Sequence, residues 1–180
     1  MAELVDAGDS KSPGCISLRV QVSPALPIIG AKTMEEFFKN NNIVSRTRKN
    51  KNIITKDHFI IEKKNIYAGK HFIIDFWNSD FDNTVNTLEL LLREASNIAK
   101  ANILHSHLHR FGEEQGISGV AVLAESHISV HTWPERDYIA FDIFMCGDTY
   151  PELALEFLIE KLKPKKKKIK IIKRGKTTID

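Results

Sequence analysis

Cysteine is nearly absent: Cys15 and Cys146 are the two in 180 residues. A disulfide framework and a cysteine-rich zinc site are both excluded on that count. Long apolar runs are missing as well. None approaches the roughly 20 residues of a spanning helix, so the sequence predicts a soluble, cytoplasmic chain without a membrane partner. Acids are missing from one stretch, residues 161–176, which holds ten Lys/Arg. The remainder has 16 bases against 23 acids, net −7, beneath a whole-chain charge of +3. Such a block invites nucleic acid, but no aromatics are interleaved to stack bases. It reads instead as a lysine-guarded edge strand around Ile169–Ile172 or a solvated helix end, and no nucleic-acid partner is expected. What is present, 42% hydrophobic and 27% charged residues, suits one domain with a core of useful size and a tail.

Residues 1–33 read as a disordered or spurious extension. Pro13, Gly14, Pro24, Pro27 and Gly30 break any periodicity there. They lack the basic start and compact apolar stretch of a secretory signal, and Met34 is the alternative start. Residues 34–68 are a polar arm, expected to be mobile to about Asn52. From 69 to 175 the pattern sharpens, and 176–180 is a short tail. His71–Trp77 reads as a strand. Asp80 or Asp82 can cap the helix that follows, whose apolar stripe is Val85, Leu88, Leu91, Leu92, Ala95, Ile98 and Ala99. Strands are predicted over 103–110, 117–124, 127–133 and 138–145. Pro151 opens a helix to about Leu162, and 168–173 is a last strand. The order β-α-β-β-β-β-α-β predicts an α+β domain: a two-layer sandwich, mainly antiparallel, with helices on one face of the sheet.

The chemistry concentrates in Glu125-Ser126-His127-Ile128-Ser129-Val130-His131-Thr132-Trp133. Strand alternation puts His127, Ser129, His131 and Trp133 on one face, with Ile128 and Val130 turned toward the helices. The first face is too polar for a core and too aromatic for plain solvent. Residues 134–137, Pro-Glu-Arg-Asp, form a turn. A hairpin closed there sets Trp133 opposite Tyr138, His131 opposite Ala140, Ser129 opposite Asp142 and Glu125 opposite Cys146. Cross-strand partners share a face about 5 Å apart, so Cys146 sits beside the Glu125–Ser126 junction. Ser126 points away from that face on a straight strand, and a bulge or strand end is needed to turn it. A serine, a histidine and a cysteine converge without an Asp-His-Ser relay. His105, His107 and His109 also share a face, but without a clear fourth metal ligand.

The run from Glu125 through Thr132-Trp133-Pro134-Glu135 resembles the processing-site signature of the S-adenosylmethionine decarboxylase family, in its small prokaryotic form. Asp142-Ile143-Phe144-Met145-Cys146-Gly147 resembles that family's next strand. His109-Arg110-Phe111, Gly116-Ile117-Ser118-Gly119 and Gly69-Lys70-His71-Phe72-Ile73-Ile74-Asp75-Phe76 match further segments. The resemblance implies a pyruvoyl enzyme made by self-cleavage between Glu125 and Ser126, with Ser126 carrying the pyruvoyl group that forms a Schiff base with substrate. It implies His131 as the proton acceptor in processing, Ser118 as a residue that positions or stabilises the processing intermediate, and Cys146 as the proton donor in decarboxylation. It implies Phe111 against adenine, Glu135 on the ribose hydroxyls and Trp133 lining the same region. It implies no metal, a homodimer packed sheet to sheet, and S-adenosylmethionine as substrate, giving the aminopropyl donor for spermidine synthesis. An arginine decarboxylase on the same scaffold and an unprocessed, inactive paralogue are the alternatives. Phe111 and Glu135 favour adenosine over guanidinium.

Overall fold

A computed structural model describes residues 53–54, 56–62, 64–113 and 115–178. The extension 1–33 and the first part of the polar arm lie outside the described residues. The domain begins with β4 (Gly69–Trp77), following three short strands, β1 (Ile53–Ile54), β2 (Ile60–Glu62) and β3 (Asn65–Tyr67). Then come helix α1 (Val85–Ile98), β5 (Ile103–Arg110), β6 (Ile117–Leu123), β7 (Ser126–Trp133) and β8 (Tyr138–Cys146). Helix α2 (Pro151–Leu162), β9 (Lys166–Arg174) and β10 (Thr177–Thr178) complete the order. The main sheet runs β5-β6-β7-β8-β4-β9, every neighbouring pair antiparallel. From β4 to β9 this is the predicted α+β order.

The strands alternate as a half-buried sheet must. Phe72, Ile74 and Phe76 of β4, Ile128 and Val130 of β7, and Ile139, Phe141, Ile143 and Met145 of β8 face inward. They pack against Leu88, Leu92 and Ala95 of α1 and Ala154, Phe157 and Leu158 of α2. Pro151 stands in the first turn of α2, where its missing N–H costs nothing. The cap of α1 differs from expectation. It is Thr84, whose Oγ1 accepts the Thr87 N–H at 3.2 Å, not Asp80 or Asp82. A capping side chain must reach the second or third helical N–H, and the helix begins too late for either aspartate. The Asp82 carbonyl instead accepts the Thr84 N–H at 2.8 Å.

The polar arm and the tail also contribute order that periodicity does not announce. β1, β2, β3 and β10 form a small antiparallel sheet, with Thr177 opposite Ile66. Lys173 ties it to the domain by pairing with Glu62 and lying 4.9 Å over the Tyr67 ring. That ion pair lowers the Glu62 pKa, while burial and Glu62 itself raise that of Tyr67. The basic block is divided between the end of α2 and β9, an edge strand of the main sheet.

Candidate active site

The β6–β7 turn carries Glu125, and β7 begins at Ser126. Ser126 has φ 131°, a conformation that a side chain makes costly, by about 1–3 kcal/mol. This is the distortion at the strand end that a straight strand lacks. The Glu125 carbonyl, the one adjoining Ser126, accepts two hydrogen bonds from residue 146: the backbone N–H at 3.1 Å and Sγ at 3.3 Å. Two donors on one carbonyl oxygen draw electrons from its carbon and stabilise charge that develops there on attack. Cys146 is half-buried and its thiol is free. Two glycines make room around it. Gly69 pairs with Cys146, and a Cβ at Gly69 would lie 2.4 Å from the Met145 carbonyl oxygen. Gly147 turns the chain away from β8 with φ +65°.

The hairpin register is the one that the turn implies: Trp133 opposite Tyr138, His131 opposite Ala140 and Ser129 opposite Asp142. Along β6, Ser118 lies opposite His131, and its Oγ is 2.9 Å from Nδ1 of the imidazole. Trp133, beyond it, packs against the imidazole with ring centroids 6.2 Å apart. Phe111 follows β5, 61% exposed, with its ring edge against His109 at 5.1 Å. Glu135 sits in the exposed 3-10 turn Pro134–Arg136.

The predicted residues therefore fall into two groups. Glu125, Ser126 and Cys146 meet at one end of β7, and Ser118, His131, Trp133, Phe111 and Glu135 lie along the sheet away from it. Five residues of extended strand separate Ser126 from His131, about 16 Å at the usual rise. No imidazole spans that distance within one chain.

Between the groups, on the outer face of the sheet, β4 adds contacts that spacing did not single out. His71 Nε2 lies 3.0 Å from Asp142 Oδ1, and the His127 ring packs edge-on against His71 with centroids 6.5 Å apart. Burial first, then the neighbouring His71, lower the His127 pKa. Tyr138 is sandwiched between Trp77 and Trp133, with centroids 5.3 and 5.1 Å away, and donates to Asp75 at 2.5 Å. Burial and that acceptor push its pKa up to about 12. The cross-strand pairing of Trp133 with Tyr138 was readable from the turn, whereas Trp77 enters from a strand more than 50 residues earlier. His105, His107 and His109 lie exposed along edge strand β5. Among the described residues, no three His, Cys, Asp or Glu side chains are grouped to hold a metal ion.

Residues 70–175 match the family model described as S-adenosylmethionine decarboxylase. The chain belongs to the S-adenosylmethionine decarboxylase family. An S-adenosylmethionine decarboxylase proenzyme of Methanococcus aeolicus is 46% identical over 113 residues, which cover 61% of this chain and 95% of that protein. One from Prochlorococcus marinus strain MIT 9313 is 43% identical, over 59% of this chain and 87% of its own. The crystal structure of the Aquifex aeolicus adenosylmethionine decarboxylase superposes with TM-score 0.55 at 32% identity, covering 61% of this chain and 92% of that one. These relatives favour S-adenosylmethionine over the arginine alternative. The matched span begins inside β4, so β1, β2 and β3 lie outside it. No helix among the described residues is long and apolar enough to cross a membrane.

Proposed function

We propose that this chain is a proenzyme that cuts itself between Glu125 and Ser126 and then decarboxylates S-adenosylmethionine to the aminopropyl donor for spermidine synthesis. The observation that carries the reading is the junction itself: a strained Ser126 whose preceding carbonyl is held by two donors from Cys146. The Ser126 hydroxyl attacks that carbonyl, and the acyl group moves from nitrogen to oxygen. A base takes the α-proton of Ser126, and elimination releases the Glu125 carboxylate. The dehydroalanine left at 126 takes up water and loses ammonia, ending as a pyruvoyl group. The residues fit that group, since a strained serine beside a polarised carbonyl is what its formation requires. Once formed, it supplies the electron sink for loss of carbon dioxide.

His131 is the processing base. Its bond to Ser118 orients the ring through Nδ1 and leaves Nε2 to take the proton. The strand length between His131 and Ser126 supports a homodimer packed sheet to sheet, in which His131 and Ser118 of one copy serve Ser126 of the other. Cys146 donates the proton to the substrate α-carbon after carbon dioxide leaves, a role suited to a thiol already at the junction. Phe111 and Trp133 offer faces for the adenine and the sulfonium cation, and Glu135 accepts from the ribose hydroxyls.

Intact-mass measurement of the purified protein tests this reading. Two chains are expected, residues 1–125 and a second starting at 126 that is lighter by one ammonia than a serine start. One uncut chain, stable on long incubation, overturns it in favour of an inactive paralogue.

A further inference from the structure

The residue before the cut is gripped from a second side. Asn102, in the loop between α1 and β5, makes three hydrogen bonds to Ala124 and Glu125. Its carbonyl accepts the Ala124 N–H at 2.9 Å. Its backbone N–H donates to Glu125 Oε2 at 2.9 Å, and its side-chain Nδ2 donates to Glu125 Oε1 at 3.0 Å. Both carboxylate oxygens are thus engaged, while the Glu125 carbonyl is engaged by Cys146. Residue 125 is fixed at both its side chain and its carbonyl, and the next residue carries the φ of 131°. A costly backbone conformation persists only where its surroundings over-determine it.

We propose that Asn102 is a positioning residue for self-cleavage: it clamps the Glu125 side chain so that the strained Ser126 faces a fixed carbonyl. This rests on the cut falling between Glu125 and Ser126. Asn102 and Glu125 both belong to the 1–125 fragment, so the clamp survives the cut. It then holds the new terminal carboxylate beside Cys146, which belongs to the other fragment. A carboxylate side chain here is an exposed anchor rather than part of the reacting system, so its partner can be exchanged for another of matching hydrogen-bond polarity.

The test is a reciprocal exchange, read as the rate of chain cleavage by mass spectrometry. Asn102→Asp sets two carboxylates against each other and slows cleavage about tenfold or more. Asn102→Ala slows it less. Glu125→Gln alone changes it little, because the Asn102 amide turns over and its Oδ1 accepts from the new amide nitrogen while the backbone N–H keeps its acceptor. Combining Asn102→Asp with Glu125→Gln restores the pair with donor and acceptor swapped, and cleavage recovers toward the parent rate. Melting temperatures stay close throughout, as the clamp lies at the surface. Equal cleavage rates in the parent and Asn102→Asp overturn the proposal, and so does a double variant no faster than Asn102→Asp. A parent chain that never cuts at Glu125–Ser126 overturns the proposed function itself, which keeps the two failures apart.

Discussion

Residue 146 meets the junction twice, through its backbone N–H and through its thiol. A substitution separates the two. Cys146→Ala keeps the N–H on the Glu125 carbonyl, so the chain is expected still to cut, more slowly. Carbon dioxide release from S-adenosylmethionine is expected to fall by about 10²–10⁴, the scale of a lost general acid. Gel analysis and a labelled-carboxyl assay on one preparation read both outcomes. His127 is the other informative side chain. Burial and His71 depress its folded pKa below the ordinary 6.5, Asp142 opposes this, and Arg174 adds to it. The sign follows from linkage. Below about pH 6.5 the unfolded chain takes up a proton that the folded chain resists, so stability present above that pH is lost as it falls. The melting temperature is expected to drop between about pH 7 and pH 5, and His127→Gln to flatten that drop. A profile that keeps its slope in His127→Gln would assign the loss to other groups.

Among the elements, β6 and β7 are joined to the loop before α1 by one buried hydroxyl. Thr132 is 5% exposed, and its Oγ1 accepts the Ile117 N–H at 2.9 Å and donates to Asn83 Oδ1 at 3.0 Å. Thr132→Val keeps the shape and leaves a buried N–H without its acceptor. It should cost about 1–3 kcal/mol in urea unfolding. Neither the motif nor the strand period marks this role, because the partners are 15 and 49 residues away. The hairpin was legible for the opposite reason. Its register depends on one local turn and a two-residue period, and both lie within 22 consecutive residues, 125–146. The α1 cap was missed locally too. Two aspartates and a threonine compete for that role, and the helix start that chooses among them is set by packing of Val85 and Leu88 on the sheet.

At the scale of the whole molecule, Ser126 and His131 lie about 16 Å apart along β7. A dimer in which each copy completes the other makes a specific prediction. Chains with His131→Ala retain Ser126 and Cys146, and chains with Ser126→Ala retain His131 and Ser118. Neither should cut alone. Co-expressed, the His131→Ala chains should be cut in mixed dimers, visible by mass because the two chains differ. Absence of cutting in a purified mixed dimer would rule out the exchange.

Local order alone determined much of this protein. Alternation, one turn and the helical stripe define the strands, the hairpin register and the inward faces, because each depends on neighbours in the chain. The long motif around Ser126 names the family from its residue order. Tertiary structure decided the rest. The grip of Asn102 on Glu125, the His71–Asp142 pair and the stacking of Trp77 on Tyr138 each join residues far apart in sequence, and the strained Ser126 sits beside a residue held by two such partners. Such contacts exist only once the sheet has closed around its core, which is why no pattern of spacing carries them.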